Sequence, residues 1–223
     1  MAVAGGSGIL TSGAATESPG LGGHAHSSSV EKNLRRRVKR LREANPGKVV
    51  EVWAEDEARL GLKPITRRVW WLKGCRPRSC GQTKYEWLYV YGFARPATGQ
   101  TYTMILPRVN AERMAEALSA WAGHADPEGK KVLVVVLDRA GWHRAKRLIV
   151  PANVRLHFLP ACTPELQPVE PFWPLVREAV ANDTFSRLTD LRRRITNRCR
   201  RLAGDWEIVK QAVGFRWAAN LEK

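Results

Sequence analysis

The amino-acid sequence predicts an α/β fold in which helices flank a mixed central sheet. Short apolar runs of strand length come first, and after the third run they alternate with segments of helical periodicity. The last two strands are separated by a βαβ-like crossover, a connection that is right-handed in almost all proteins. The strand-length runs lie at residues 49–54, 87–93, 101–106, 131–137 and 154–159.

Two different segments precede the predicted sheet. Residues 1–30 are dominated by Gly, Ala, Ser and Thr and have too little apolar surface to offset the entropy of ordering, so we expect a disordered tail. In residues 31–46, Leu34, Val38 and Leu41 recur at helical spacing among Lys and Arg, which predicts a basic helical linker. The charged face of this helix is either simply solvated or contacts DNA. The candidate DNA contacts on it are Arg35, Arg36 and Arg37.

The globular domain is predicted at residues 47–205, after a turn at Asn45-Pro46-Gly47. Residues 206–223 are expected to form a C-terminal helical extension. A second basic segment lies at residues 188–202, where an apolar stripe at helical spacing is surrounded by Arg. This helix either docks on the domain with a solvated back or contacts the DNA backbone.

Within the domain, a Pro- and Gly-containing turn joins the second and third strands into a hairpin. A helix is predicted at residues 111–121, with Asn110 as its N-cap. The fourth strand is followed by a short helix after Trp142 and then by the fifth strand. This order of elements fits an RNase H-like layout.

Three carboxylates are the candidate functional residues: Asp56, Asp138 and Glu170. Each follows a strand signal, so the fold could bring them together. Mg²⁺ prefers oxygen ligands and retains waters, and two such ions roughly 3.5–4 Å apart stabilise both oxygens of a phosphodiester displacement. Considered singly, each residue has a simpler explanation, as an exposed strand end, a turn residue or an acid in a first helical turn.

The composition limits the class of partner. The formal net charge is +16 and the pI is about 10.4, which indicates a polyanion such as nucleic acid, although an anionic membrane or solubility alone would also suit this charge. No apolar run approaches the roughly 20 residues of a membrane-spanning helix, and the amino terminus does not resemble a secretion signal. We therefore expect a cytoplasmic protein without a membrane partner. The cysteines form no CxxC pair and have no matching His spacing, which argues against a zinc site.

Three sequence blocks resemble the signature blocks of the DDE transposases of bacterial insertion sequences, in the mariner-like superfamily. The blocks are WAEDEARLGL, VVVLDRAGWH and LPACTPELQPVEPFW, and 31 residues separate Asp138 from Glu170. The similarity extends over residues 49–202. It implies an RNase H-like catalytic domain that cleaves DNA by hydrolysis and then transfers the strand.

The resemblance also implies ligands and partners. Asp56, Asp138 and Glu170 would be the catalytic residues and would bind two Mg²⁺ or Mn²⁺ ions. Glu57 and His143 also occupy positions typical of the family and would support the site. The partners would be double-stranded DNA, as transposon ends and target, with the protein as a dimer or higher oligomer on the DNA.

The chain departs from the family at several positions. Arg139 and Cys162 stand where the family commonly has Asn and Tyr. We expect Arg139 to turn toward the DNA, and Pro171 to begin a helix with Glu170 at its N-cap. No helix-turn-helix precedes the domain, so another product of the same element could supply it. A stand-alone RNase H-like nuclease and an inactive, DNA-binding remnant of a transposase remain alternatives.

Overall fold

A computed structural model of the chain describes residues 21–70, 72–75, 78 and 81–222. Its centre is a five-stranded sheet formed by β1 (Val49–Gly61), β2 (Trp87–Ala94), β3 (Thr101–Leu106), β4 (Lys131–Leu137) and β5 (Val154–Phe158). The strand order is β3-β2-β1-β4-β5. The first three strands are antiparallel, whereas β4 and β5 run parallel to β1. The predicted α/β class with a mixed central sheet is confirmed.

The part of β1 that contains Asp56 pairs with a neighbouring strand on one side only. Residues 49–54 of β1 pair with β4, and residues 54–61 pair with β2. Beyond Ala54, therefore, β1 has a partner on one side only. Asp56 lies in this half of β1, close to the point at which β4 ends at Leu137.

Six helices flank the sheet in the described part of the chain: α1 (Leu21–Ala44), α2 (Ala111–Ala125), α3 (Phe172–Arg177), α4 (Leu188–Gly204), α5 (Trp206–Val213) and α6 (Arg216–Ala219). The core has two parts, one on each face of the sheet. Helix α2 covers one face, where Phe93 and Trp121 stack with ring centroids 4.7 Å apart. The other helices cover the opposite face. None of the described helices combines the length and apolarity needed to cross a lipid bilayer.

The predicted domain boundaries differ from those of the structure. Helix α1 begins at Leu21, within the predicted tail, and the remaining residues 1–20 lie outside the described chain. Val30, Leu34 and Val38 are buried in the core, so the predicted linker is part of the domain. Helices α5 and α6, predicted as an extension, bury residues in the same core. Tertiary packing of apolar side chains thus joins the predicted segments into one unit.

Two local predictions had different outcomes. Asn110 caps α2 as predicted, because its side-chain oxygen accepts a hydrogen bond from the Arg113 backbone N–H at 2.8 Å. The short helix predicted after Trp142 is wrong, since residues 141–147 form turns. In these turns Trp142 and His143 make side-chain hydrogen bonds to carboxylates, and these tertiary contacts replace a regular helix.

A buried ion-pair network ties residue 222 to the sheet. Glu51, which is 3% exposed, pairs with Arg95 at 3.1 Å and with Lys131 at 2.9 Å. Arg95 also pairs with Glu222, whose carboxylate accepts a hydrogen bond from the Val52 backbone N–H at 2.8 Å. Glu222 therefore supplies a hydrogen-bond acceptor to the Val52 N–H, which lies in the part of β1 that does not pair with β2.

Replacing Glu222 with Gln is expected to lower the free energy of unfolding by about 1–2 kcal/mol, because Arg95 loses a partner charge at a mostly buried site. Urea unfolding should show a lower midpoint with an unchanged slope. The matched control is Glu128→Gln. Glu128 pairs with Lys130 at an exposed position, so its replacement should cost less than about 0.5 kcal/mol. Equal effects of the two substitutions would contradict a stabilising role for the network.

Candidate active site

The three predicted carboxylates line one cavity at the carboxyl ends of β4 and β5. The cavity has a volume of about 370 Å³, and Asp56, Asp138 and Glu170 all contribute to its wall. Each carboxylate comes from a different element: the half of β1 that pairs only with β2, the end of β4, and the turn before α3. The fold thus brings together residues that lie far apart in the sequence.

Asp56 is held by an indole from α3. Its Oδ2 atom accepts a hydrogen bond from Trp173 Nε1 at 2.7 Å. Burial raises the pKa of Asp56 to about 7, the Trp173 hydrogen bond opposes the rise, and the negative charge of Glu170 adds to it. Ionised Asp56 is therefore costly in this cavity unless a cation compensates its charge.

Asp138 is held in its ionised form. Its Oδ1 atom accepts hydrogen bonds from His143 Nδ1 at 2.8 Å and from the Ala140 backbone N–H at 2.9 Å. The His143 hydrogen bond is the main cause of a lowered pKa at Asp138, partly offset by burial. The two aspartates thus have opposite pKa shifts in one cavity.

Glu170 lies in the turn that leads into α3. The helix begins at Phe172, with Pro171 at the N-cap position, so the prediction of Pro171 as first helical residue and Glu170 as N-cap is wrong by one residue. The Trp173 backbone N–H donates to the Glu170 carbonyl at 3.2 Å, which tightens this turn. Glu170 nevertheless lines the cavity, and its charge acts on Asp56.

Arg139 and Cys162, the two departures from the family, both lie at the cavity wall. Arg139 Nε donates to the Leu159 carbonyl at 2.8 Å. Among the described residues, no ion pair joins this guanidinium to the three carboxylates. Cys162 is exposed and has a positive φ of 56°.

Residues 51–192 match the sequence profile of the family described as DDE superfamily endonuclease. The chain belongs to this family. The match includes all three carboxylates, and it confirms the family resemblance seen in the sequence blocks. An uncharacterized protein, y4pE/y4sA of Sinorhizobium fredii, is 34% identical over 138 residues, which cover 59% of this chain and 97% of the relative.

Solved structures of the Mos1 transposase share the fold of this DDE endonuclease. A pre-cleavage Mos1 transpososome matches with a TM-score of 0.55 and 14% identity over 86% of this chain and 63% of that one. A Mos1 mariner paired-end complex with Mn matches with a TM-score of 0.52 and 16% identity, over 89% and 64%. The chain thus spans less than two thirds of the length of these transposase chains. The RNase H-like fold is confirmed.

A second group of carboxylates lies on the other side of β1 in the endonuclease. Successive side chains of a strand point to opposite faces, so Glu55 and Glu57 point away from Asp56. His143 Nε2 lies 3.2 Å from Glu57 Oε1 and 3.4 Å from Glu55 Oε2, and Trp142 Nε1 donates to Glu57 Oε1 at 2.9 Å. Sequence reasoning missed Glu55. The available signal was the two-residue period of a strand, which places Glu55 and Glu57 on the same face of β1 as Trp53.

Burial and neighbouring charges shift the pKa values of Glu55 and His143 in this second group. Burial raises the pKa of Glu55 well above its usual value, and the negative charge of Glu57 adds to the rise. Burial alone would lower the pKa of His143, but hydrogen bonds to Asp138 and Glu57 and the charge of Glu55 raise it to about 10. The group therefore attracts positive charge strongly.

The arginines predicted to contact DNA lie on α1, outside the cavity wall. Arg35 pairs with Glu31 at 2.9 Å on the exposed side of the helix, and Arg36 is exposed. Arg37 is only partly exposed, and its pKa is lowered by burial and by the positive charge of Arg155. Two arginines close to each other are a favourable arrangement for binding an anion.

Proposed function

We propose that this DDE endonuclease chain is the catalytic domain of a transposase, which cleaves DNA and transfers the strand with two Mg²⁺ or Mn²⁺ ions. The observation that supports this most directly is that Asp56, Asp138 and Glu170, from three separate motifs, line one cavity. The family match includes all three residues. We infer that they are the catalytic residues and the metal ligands.

The residues of the cavity suit such ions. Three carboxylates offer only oxygen ligands, which Mg²⁺ prefers. The raised pKa of Asp56 reflects burial and carboxylate repulsion that a cation would relieve. When bound, the ions would supply Lewis-acid stabilisation of the phosphoryl group and an activated water.

The protein's own residues prepare this site. Trp173 fixes the orientation of Asp56 and His143 fixes that of Asp138, so both carboxylates are ordered before DNA arrives. Arg139 is anchored to the Leu159 carbonyl at the cavity wall, where a guanidinium can bind a DNA phosphate. We infer that this is why Arg is tolerated at this position.

The proposed partner is double-stranded DNA, both as transposon ends and as target. The net charge of +16 favours contact with phosphates, and Arg35, Arg36 and Arg37 add a basic surface on α1. The solved Mos1 structures are described as paired-end and transpososome complexes, which suggests a dimer or higher oligomer on DNA here also. A cytoplasmic location, where bacterial DNA is accessible, is part of the proposal.

The proposal can be tested with a supercoiled plasmid that carries the DNA flanking the gene on both sides. With Mg²⁺ or Mn²⁺ we expect nicked and strand-transfer products, and EDTA should remove both. Asp138→Asn should reduce nicking by about 10³-fold, because loss of a metal ligand removes several kcal/mol of transition-state stabilisation. The control Asp183→Asn changes a partly exposed aspartate that pairs with Arg194, and it should retain activity.

Two results would favour the alternatives. Metal-dependent nicking without strand transfer would indicate a stand-alone nuclease. Binding of DNA without any calorimetric signal for Mg²⁺ or Mn²⁺ would indicate an inactive remnant, and its affinity should then decrease steeply with salt and distinguish little between duplexes.

A further inference from the structure

Glu55 is a buried carboxylate without a hydrogen-bond donor in the described part of the chain. The residue is 0% exposed, and neither Oε1 nor Oε2 has a hydrogen-bond partner. Its nearest charged neighbour is His143, whose Nε2 lies 3.4 Å from Glu55 Oε2. A buried carboxylate that accepts no hydrogen bond costs several kcal/mol when it is ionised. In native structures such a group indicates a missing partner, often a bound ion.

The nearest polar atoms of Glu55 belong to a compact group. One ligand atom each of Glu55, Glu57 and His143 lies within 4.8 Å of the others. The side chains of His143 and Glu57 are 1% and 6% exposed, so the whole group is buried. It lies on the face of β1 opposite to Asp56, outside the wall of the proposed catalytic cavity, and contacts that cavity through the hydrogen bond between His143 and Asp138.

The distances around His143 distinguish its two nitrogens. Nδ1 lies 2.8 Å from Asp138 Oδ1, the usual length of a charge-assisted hydrogen bond. Nε2 accepts a hydrogen bond from Trp142 Nε1 at 3.0 Å and lies 3.2 Å and 3.4 Å from Glu57 and Glu55. Both distances to the glutamates are longer than that range. Ligands about 2.1 Å from a tetrahedral ion are about 3.4 Å apart, so these two separations suit His143 and either glutamate as ligands of one metal ion.

We propose that Glu55, Glu57 and His143 bind a divalent transition-metal ion, zinc or manganese, in addition to the ions at the catalytic cavity. An imidazole with two carboxylates suits these ions better than Mg²⁺, which favours oxygen ligands alone. Asp138 accepts the Nδ1 proton of His143, as carboxylates do for metal-bound histidines, and Trp142 donates to Glu57. The ion neutralises the two buried glutamates and fixes His143, and through it Asp138.

This site does not depend on the proposed transposase function, because it requires no DNA and no cleavage. It has no short sequence motif either. Glu55 and Glu57 are adjacent on one face of β1, but His143 follows many residues later and reaches them only through the turns after β4.

The test uses Mn²⁺ and pulsed electron paramagnetic resonance, which detects coupling of a bound Mn²⁺ to the ¹⁴N nucleus of an imidazole. The proposed catalytic cavity offers only carboxylate ligands, so the strong ¹⁴N coupling of a directly bound imidazole reports the second site, whereas nitrogens hydrogen-bonded to the catalytic carboxylates give only weak coupling. The wild-type protein should show this coupling, and so should Asp56→Asn/Glu170→Gln, in which the catalytic ligands are removed. Zn²⁺ should displace the coupled Mn²⁺, because zinc binds such ligands more tightly.

Two ligand variants and one variant of the histidine's partner complete the test. His143→Gln should lose the ¹⁴N coupling, and Glu55→Gln, which is close in shape to the native residue, should weaken Mn²⁺ binding at this site by more than about 100-fold. Asp138→Asn should weaken it by about 10–100-fold, as expected for a partner of a metal-bound histidine. Circular dichroism and urea midpoints show whether each variant is folded.

The proposal would be overturned if wild-type protein saturated with Mn²⁺ showed no ¹⁴N coupling, or if folded Glu55→Gln kept the coupling and the affinity unchanged. Failure of the catalytic proposal is a separate result. In that case DNA cleavage is absent, while the ¹⁴N coupling persists in both the wild type and Asp56→Asn/Glu170→Gln.

Discussion

Replacing Asp56 with Asn is expected to abolish DNA cleavage and, at the same time, to make the metal-free protein more stable. Cleavage should fall by about 10³-fold or more, because a proposed metal ligand is lost. Stability should rise because Asn keeps the size and the Trp173 hydrogen bond of Asp56 but carries no charge beside Glu170. A residue kept for function at a cost in stability should show this pairing of effects.

The stability gain should depend on pH. The pKa of Asp56 rises from 3.8 to about 7 on folding, so between these values the folded state binds more protons than the unfolded state. Stability therefore falls as the pH rises through this window. Above about pH 7 the penalty is complete and amounts to about 2–4 kcal/mol, which Asp56→Asn removes.

Urea unfolding of wild type and Asp56→Asn at pH 5 and pH 8, each with and without Mg²⁺, measures these effects. The variant should gain most over wild type at pH 8 without Mg²⁺, and Mg²⁺ should stabilise only the wild type, by linkage. Asp183→Asn is the control at a partly exposed position and should show no such pH dependence. A variant less stable than wild type at pH 8 would contradict the repulsion that we infer at this site.

Much of the fold is predictable from local sequence patterns. The strands are recognisable because each apolar run has the length and the β-branched composition of a buried strand. All five occur in the structure, although β1 continues to Gly61, well beyond its predicted end at Ala54. Asp56 and Asp138 could be proposed because each directly follows or ends such a run. The cap of α2 could be predicted because Asn110 acts through a local backbone contact.

The predictions that were wrong, and the site residue that was missed, concern features that depend on tertiary contacts or on weakly encoded helix ends. The first residues of α1 lie in a Gly- and Ser-rich segment with little helix propensity, and Val30, which is buried in the core, comes more than two turns after Leu21. Glu55 escaped notice because its significance lies in its contact with His143, which no spacing reveals. The start of α3 was misplaced by one residue because helix ends are weakly encoded, and prolines on both sides of Glu170 leave the boundary ambiguous.

The geometry of the candidate site also depends on one small residue. Gly92 of β2 lies directly opposite Asp56 in the antiparallel pair, and the indole of Trp173 occupies the space above it. A Cβ atom at position 92 would lie 2.6 Å from Trp173 Cη2. The absence of a side chain at this position therefore permits the hydrogen bond from Trp173 Nε1 to Asp56.

Gly92→Ala is accordingly expected to destabilise the protein by about 3 kcal/mol, the upper range for overpacking, since Trp173 is 1% exposed and cannot move away freely. Displacement of the indole should also release Asp56 and reduce cleavage by about 100-fold, the effect of a misplacement of about 1 Å at a catalytic group. Gly123→Ala is the matched control, because a Cβ atom there meets nothing within 4 Å and Gly123 lies within α2. It should be neutral or stabilising by up to about 1 kcal/mol.

A double-mutant cycle with Trp173→Phe separates the clash from the hydrogen bond. Phe lacks the outer ring that carries Cη2, so Gly92→Ala should cost at least about 1 kcal/mol less in this background, a coupling expected for residues in contact. Cleavage should stay low in the double variant, because the indole N–H that orients Asp56 is still missing. Additive stability effects of the two substitutions would show that Trp173 does not pack against position 92. Full cleavage activity in folded Trp173→Phe would show that its hydrogen bond does not position Asp56.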